Sequence, residues 1–214
     1  MTTILSIFEQ MKSLLLYLFI TSSFFGYSQR ELSTKAKILD LYLEYKFEHP
    51  EVKFRKFLFV SINNQQMHYI VRKKVKKTYA ISSAKFGVSC VEGSNCTPIG
   101  LHKIDQKFGD TTPKNGIIKD RVYTGKIATV TTDSTDTEND YVTSRILWLR
   151  GLETGKNTGA GVDSYNRYIY IHGTAEEGLI GKPASHGCIR MYNDDVIELY
   201  QMVATGIPVI ILQN

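Results

Sequence analysis

The sequence YIYIHGTAEEGLIGKPASHGCIR, residues 168–190, contains the signals that decide the fold of this chain. It opens with an alternating apolar run typical of a β-strand, and that run ends at His172 and Gly173. A loop containing glycine and proline follows, and a compact turn, SHGC, runs from Ser185 to Cys188. The segment therefore predicts a strand, a loop and a turn that together carry two histidines and one cysteine.

The residue types in this segment are those of cysteine nucleophilic catalysis. A thiol is mostly protonated at neutral pH because its ordinary pKa is about 8.5, so it needs a neighbouring base to attack a carbonyl carbon. His172 can be that base if the loop returns the chain to the end of the strand. Backbone N–H groups at a glycine turn can stabilise the oxyanion of acyl transfer, and we expect those of His186, Gly187 and Cys188 to do so.

The group that orients His172 is open at this point. Glu176, Glu177 or a backbone carbonyl near Gly173 could accept a hydrogen bond from its second ring nitrogen. Two other interpretations of the segment are a zinc site, which lacks a third or fourth ligand at the usual spacing, and a buried inert cysteine with structural histidines. The pattern favours catalysis over both, with no metal and no cofactor.

The sequence on either side predicts a mainly β domain. From residue 54 onward, short β-rich runs alternate with clusters of Gly, Asn, Asp, Ser and Pro. The basic stretch RKKVKK, residues 72–77, lies between two such runs, and we interpret it as a solvated hairpin rather than a glycan-binding patch. The polar residues 131–140 predict an exposed loop. The runs are FLFVSI, MHYIVR, TYAISS, GLHKI, RILWLR, RYIYIHG and PVIIL.

Two helices are predicted beside these strands. Residues 31–48 carry apolar side chains at helical spacing, and the helix ends at residues 49–50 because the residue before a proline avoids the helical region. Asn193 is the expected N-cap of a second helix that Gly206 ends, directly after the cysteine turn.

The N-terminus has the pattern of a signal peptide. A short basic segment at Met11 and Lys12 precedes an apolar run at residues 14–25, and small residues precede a cleavage site before Gln29. The apolar run is shorter than the roughly 20 residues that a membrane-spanning helix needs. Residues 1–28 are therefore predicted to be a signal peptide, with Met11 as a possible true start. We therefore expect an exported protein that has no stable membrane span after cleavage.

The predicted export of the protein affects whether its three cysteines are expected to be paired or free. Thiols tend to pair in an oxidising compartment, and three cysteines leave one unpaired. Cys90 and Cys96 lie in one loop, CVEGSNC, and we expect a disulfide between them, with two free or buried thiols as the alternative. Cys188 is then the free, reactive thiol.

The charge of the chain excludes one class of partner. Its 214 residues include 26 basic and 21 acidic side chains, for a net charge of +5. The basic residues form no stripe with interleaved aromatics, so no nucleic acid is expected as a partner. The length fits one domain with short additions, and we expect a monomer.

Together these elements resemble the L,D-transpeptidase catalytic domain of the YkuD type. The pattern is a strand-end histidine, a gap, and then SHGC followed by an apolar residue and arginine. Residues 97–100, TPIG, resemble the family's TPxG element, residues 60–80 its opening strands, and the Asn193 helix its helix after the cysteine. The resemblance covers residues 54–214 and leaves residues 29–53 as an N-terminal helix and linker.

The resemblance implies a mainly β fold, sandwich-like or barrel-like, with one or two flanking helices and a short N-terminal helix. It implies that Cys188 is the nucleophile, that His172 accepts and donates the proton, and that Gly173 supplies the carbonyl that orients His172.

Four further residues of the motif have implied roles. His186 and Gly187 shape the turn and the oxyanion hole, while Ser185 is a substrate-contacting or shaping residue. Arg190 could bind a carboxylate of the stem peptide, and a salt bridge within the fold is the alternative. We interpret the other histidines and two aromatic residues as structural: His49, His68, His102, Trp148 and Tyr170.

The resemblance also implies the reaction, which takes place in the periplasm or cell wall and contributes to cell-wall organisation and cell shape. The family attacks the peptidoglycan stem between the diamino acid at position three and D-alanine at position four. A thioester forms, D-alanine leaves, and an amine of another stem completes a 3→3 crosslink. With water as acceptor the protein would be an L,D-carboxypeptidase, and without activity it would be a peptidoglycan-binding scaffold.

Overall fold

The computed structural model describes residues 39–137 and 139–214. The predicted signal peptide and the start of the predicted N-terminal helix lie outside these residues. The chain divides into two compact units, Met1–Glu48 and His49–Asn214. In the first, residues 39–48 form helix α1, which confirms the predicted end of that helix before residues 49–50. Within the described residues, no helix has both the length and the apolar character needed to cross a membrane.

The second unit is mainly β, as predicted. Its described residues contain ten strands, a short 3-10 helix at Glu177–Leu179 and helix α2 at Asn193–Met202. The strands are β1 (Lys56–Ser61), β2 (Gln66–Val71), β3 (Lys74–Ala80), β4 (Gly100–Phe108), β5 (Gly116–Lys119), β6 (Val122–Ile127), β7 (Val142–Gly151), β8 (Tyr170–Thr174), β9 (Ile189–Met191) and β10 (Pro208–Leu212).

All ten strands belong to one branched sheet. Its main path runs β3-β2-β1-β10-β4-β7-β5-β6, and β8 pairs with β7 and with β9. The branch arises at β7, where Thr143 pairs with Ile117 of β5 and also with Gly173 of β8. Most pairs are antiparallel, but β1–β10 and β8–β9 are parallel. Because β8 and β9 run parallel, the loop that connects them must return the chain to the end of the sheet where β8 begins.

The core explains the continuous apolar runs of the sequence. Strands β1, β7 and β10 are buried on both faces, so their side chains do not alternate with polar ones. Val196 and Leu199 of α2 are fully buried in the same cluster as residues of β7, β8 and β9. Each such side chain contributes about 1.5–3 kcal/mol relative to an exposed one. Helix α2 is thereby fixed against the strands that carry the histidine and cysteine segments.

The ends of α2 differ from the prediction. Tyr192 is at the N-cap position and makes no side-chain cap, while Asn193 is the first helical residue. The Asn193 N–H donates to Glu177 Oε1 at 2.8 Å, and the Asn193 side chain donates to Thr174 O at 2.7 Å. The helix ends at Met202, before Gly206, where Lys107 Nζ donates to two of its last carbonyls. Asn193 therefore links strands to the helix rather than capping it.

The basic stretch forms a hairpin, as predicted. Arg72 and Lys73 are the turn between β2 and β3, with left-handed φ values of 49° and 64°. Most of the stretch is exposed.

The expected Cys90–Cys96 disulfide is wrong for this structure, in which both residues are free cysteines. Cys96 Sγ contacts the carbonyls of Phe86 and Ser94 at 3.3 Å, and Cys90 Sγ lies 3.7 Å from Ile99 O. The side chain of Arg167 donates to Ser89 O at 3.1 Å and to Cys96 O at 2.8 Å, which ties the ends of this loop without a covalent bond.

Candidate active site

Cys188 lies directly before β9 and beside the start of β8. The N–H of Tyr170 donates to Cys188 Sγ at 3.3 Å, and the sulfur lies 3.4 Å from the carbonyl of Tyr168. In the parallel pair of β8 and β9, His172 and Arg190 are Cα partners. Because alternate residues of a strand share a face, the side chains of Cys188, Arg190 and His172 point to the same side of the sheet. The loop thus returns the cysteine to the histidine, as the catalytic hypothesis requires.

The hydrogen bond implied for Gly173 is present. Its carbonyl lies 2.7 Å from Nδ1 of His172, whose residue is 2% exposed. Burial lowers the pKa of His172, and the negative charge of Asp140 partly opposes this change. An imidazole that is neutral near pH 7 and donates from Nδ1 leaves Nε2 free to accept a proton.

The surroundings of Cys188 favour the protonated form of its thiol over the thiolate. The residue is partly exposed, but its sulfur is enclosed by β8 and an aromatic cluster, and this burial raises the pKa of Cys188 to about 12. The Tyr170 N–H, Arg190 and Arg167 act in the opposite direction. A preformed thiolate is therefore disfavoured, and the proton must leave as the sulfur attacks.

Asp140 is the acidic residue that sequence analysis missed. It ends the polar loop at residues 131–140, and its Oδ2 lies 3.0 Å from His186 Nδ1 and 2.6 Å from Arg190 Nη2. Burial alone would raise the pKa of Asp140, but the charges of Arg190 and His172 and the contact with His186 hold it below its ordinary value. Its Oδ1 is buried and has no hydrogen-bond partner among the residues that the structure describes. A carboxylate therefore lies within electrostatic reach of both His172 and Cys188.

Arg190 is held inside the domain by two carboxylates, and its expected substrate-binding role stays a prediction. Its side chain is fully buried, with Nη1 donating to Glu176 Oε2 at 2.8 Å and Nη2 forming an ion pair with Asp140. Glu176 in turn accepts hydrogen bonds from the N–H and hydroxyl of Thr137, at 2.7 and 2.6 Å. The alternative, a salt bridge within the fold, is the observed one, and it fastens the polar loop beside the site.

Ser185 and Gly187 shape the cysteine turn. Ser185 is fully buried, and its hydroxyl donates to Cys188 O at 2.5 Å and accepts from Gly187 N–H at 3.2 Å. Substrate contact by Ser185 stays a prediction, and the Gly187 N–H is already bonded to the Ser185 hydroxyl. Gly187 has φ +133°, a backbone conformation that residues with a side chain rarely adopt, so glycine suits this turn.

His186 is the exposed residue of the turn. Its side chain is 60% exposed, and Asp140 holds it through Nδ1. The N–H groups of His186 and Cys188 are the remaining candidates from the predicted oxyanion hole.

An aromatic cluster lies on the other side of the cysteine. Cys188 packs against the buried residues Trp148 and Tyr170, and the Trp148 ring stacks on Tyr165 with centroids 4.0 Å apart. Tyr168, at the edge of the cluster, is 54% exposed. Arg121, from the turn between β5 and β6, lies over the rings of Trp148 and Tyr168.

His102 is structural, as predicted. It is fully buried between Gly100 O and Ser164 Oγ, each 3.0 Å from a ring nitrogen, and burial lowers its pKa to about 4. Within residues 39–137 and 139–214, no group of three or more His, Cys, Asp or Glu side chains is placed to hold a metal ion.

The chain was compared with known protein families and curated proteins. The family model of the L,D-transpeptidase catalytic domain, YkuD, matches residues 55–211. The Bacillus subtilis (strain 168) protein named "Putative L,D-transpeptidase YqjB" is 51% identical over 48 residues, which are 22% of this chain and 27% of that protein. The protein named "Putative L,D-transpeptidase YkuD" of the same strain is 56% identical over 41 residues, or 19% and 25%. The matched segments thus span about a quarter of each relative.

Solved structures of similar proteins include two mycobacterial ones. An L,D-transpeptidase from Mycobacterium smegmatis has a TM-score of 0.44 and 19% identity, covering 74% of this chain and 58% of that one. L,D-transpeptidase 3 from Mycobacterium tuberculosis, in complex with a faropenem-derived adduct, has a TM-score of 0.46 and 16% identity, covering 75% and 60%.

Proposed function

Because this chain belongs to the family of L,D-transpeptidase catalytic domains, we propose that it is a cysteine acyltransferase acting on the tetrapeptide stems of peptidoglycan. The observation that supports the proposal is the parallel pairing of β8 and β9, in which His172 is the Cα partner of Arg190, two residues after Cys188. The scissile bond joins the L-centre of the diamino acid at position three to D-alanine at position four.

The first half-reaction forms a thioester. His172 Nε2 takes the thiol proton while Cys188 Sγ attacks the carbonyl carbon, since the buried thiol does not ionise on its own. The N–H of Cys188, with that of His186, stabilises the oxyanion, because the Gly187 N–H is already bonded to Ser185. The imidazolium then gives its proton to the nitrogen of D-alanine as the carbon–nitrogen bond breaks.

The second half-reaction transfers the acyl group. An amine of another stem attacks the thioester carbonyl and loses a proton to His172, and Cys188 leaves as its thiol. During both halves the Gly173 carbonyl keeps His172 Nδ1 protonated. The carboxylate of Asp140 opposes the positive charge that His172 carries between the two proton transfers.

The proposal extends to where the protein acts. Residues 1–28 direct export, residues 29–53 act as a helix and linker, and residues 54–214 act as a monomeric catalytic domain in the periplasm or cell wall. N-terminal sequencing of the exported protein should begin at Gln29, and light scattering should give the mass of one chain. A cytoplasmic protein starting at Met1 would contradict the export proposal.

The test of activity uses tetrapeptide muropeptides and mass spectrometry. We expect crosslinked dimers and free D-alanine from the purified protein and neither from Cys188→Ala. Cys90→Ala is the matched control, because it removes a thiol outside the site and should leave the products unchanged. Tripeptides without dimers would identify a carboxypeptidase, and products that persist in Cys188→Ala would contradict the proposal.

A further inference from the structure

The turn between β5 and β6 holds an arginine in an unusual backbone conformation. Asp120 and Arg121 have left-handed φ values of 50° and 68°, as in a type I′ hairpin turn, where glycine and asparagine are the usual residues. The guanidinium of Arg121 lies 5.0 Å from the centroid of Trp148 and 5.6 Å from that of Tyr168. A strained turn thus places a cation over two aromatic rings.

The rings beneath Arg121 belong to residues close to the proposed nucleophile. Tyr168 also has a left-handed φ, of 56°, and its carbonyl lies 3.4 Å from Cys188 Sγ. Arg121 Nη1 donates to the hydroxyl of Tyr170, at 3.4 Å, and the N–H of Tyr170 contacts the same sulfur. Tyr170 therefore contacts both residues, Arg121 through its hydroxyl and Cys188 Sγ through its N–H.

Arg121 has no acidic partner among the described residues within ion-pair distance, unlike Arg150 and Arg190. Arg150 forms a two-point contact with Asp105 at 2.9 Å, and Arg190 is paired with two carboxylates. A guanidinium has five N–H donors, and stacking on aromatic rings leaves its edges available. Arg121 uses one donor, in a long bond to a phenol. Its remaining donors suit a carboxylate, which a guanidinium binds through two parallel hydrogen bonds.

We propose that Arg121, stacked over Trp148 and Tyr168, binds a carboxylate of the stem peptide while Cys188 attacks the neighbouring carbonyl. This inference rests on the proposed function, because it assumes a peptide substrate at Cys188. It assigns to Arg121 the carboxylate contact that the sequence suggested for Arg190. The stem has two sources of this group, the terminal carboxylate of D-alanine and the carboxylates of the preceding residues.

Steady-state kinetics on the tetrapeptide test the role of Arg121. Loss of a charged hydrogen-bonding partner should lower kcat/KM of Arg121→Ala about 10-fold to 100-fold, mainly through KM, and Arg121→Lys should recover part of the loss. Arg72→Ala is the matched control. It removes an exposed arginine from a left-handed hairpin turn at the opposite edge of the sheet, and kcat/KM should not change.

Amidated substrates identify the carboxylate. The wild type and Arg121→Ala are compared on a tetrapeptide ending in D-alaninamide and on one whose internal carboxylates are amidated. The two proteins should become equal on the substrate that lacks the bound carboxylate. An Arg121→Ala protein as active as the wild type, or one equally impaired on both amidated substrates, would overturn the proposal.

A binding measurement separates this inference from the proposed reaction. Calorimetry of the tetrapeptide with Cys188→Ala needs no turnover, and adding Arg121→Ala to this background should weaken binding by the same 10-fold to 100-fold. Equal affinities, or no binding by either protein, would overturn the role of Arg121. Failure of the reaction alone would appear as Arg121-dependent binding without products.

Discussion

Arg190 and Arg121 both lie near residues that contact Cys188, and they differ in their surroundings. Arg190 is fully buried and paired with Asp140 and Glu176, whereas Arg121 is partly exposed, stacks on aromatic rings and has no acidic partner among the described residues. Arg190 belongs to the motif that contains SHGC, whereas Arg121 does not. The difference teaches that the position of an arginine in a sequence motif does not reveal whether carboxylates of the fold already pair with it. A buried cation with two acids maintains the fold, while a solvent-facing cation without one is available to a ligand.

Replacing Arg190 should give the largest effect on stability. Arg190→Ala leaves the carboxylates of Asp140 and Glu176 buried without their cation, which should lower the free energy of unfolding by about 3–5 kcal/mol. Urea denaturation followed by circular dichroism measures the change. If Arg190→Ala unfolds at the wild-type midpoint, the buried cluster does not stabilise the fold and the contrast with Arg121 fails.

Replacing Asp140 should have a smaller, pH-dependent effect. Asp140→Asn should cost about 1–3 kcal/mol of unfolding free energy at pH 7. The pKa of Asp140 is below its ordinary value of 3.8 in the folded state, so its stabilisation is complete above that value and is lost as pH falls through the folded pKa. Denaturation curves of the two proteins should therefore converge below about pH 4. A constant difference down to pH 2 would show that the carboxylate charge is not the cause.

The same substitution should change the pH dependence of the reaction. Burial lowers the pKa of His172, so kcat/KM should begin to fall on acidification only below the ordinary value of 6.5. Asp140 raises the pKa of His172, so Asp140→Asn should move this acid limb to lower pH. Arg121→Ala should leave the limb in place. A shift in the opposite direction for Asp140→Asn would contradict the electrostatic role of this residue.

Replacing Arg121 should have the smallest effect on stability. Its turn is exposed, and Tyr168, one of the two rings beneath it, is 54% exposed, so the urea midpoint of Arg121→Ala should equal that of the wild type within error. A large loss of stability would indicate that Arg121, like Arg190, maintains the fold.

The sequence predicted the part of the site that depends on local patterns. Apolar alternation, glycine turns and the SHGC segment predicted β8, the loop and the turn, and the parallel β8–β9 pair agrees with the fold-back that His172 needs. The predicted strand begins too early in the chain. Tyr168 has a left-handed backbone conformation, and β8 begins at Tyr170. Helix α2 was predicted well, but its first turn depends on Glu177 rather than on an asparagine cap.

The rest of the site depends on contacts between distant segments. Asp140 lies in a polar loop without periodicity, and only the folded chain brings it to Arg190 and His186. The separation of Cys90 and Cys96 along the chain permits a disulfide, yet the side chain of Arg167 and backbone carbonyls hold that loop instead. The turn at Arg121 has no glycine or asparagine to signal it. Such pairings leave no local pattern that a single sequence could display.

Main-chain groups, rather than side chains, hold the Cys188 sulfur on the side of β8. Both β8-side contacts to Cys188 Sγ come from the main chain, through the Tyr168 carbonyl and the Tyr170 N–H. Main-chain groups persist whatever side chain is attached to them. A substitution at Tyr168 or Tyr170 that keeps the backbone conformation therefore leaves both contacts to the Cys188 sulfur in place.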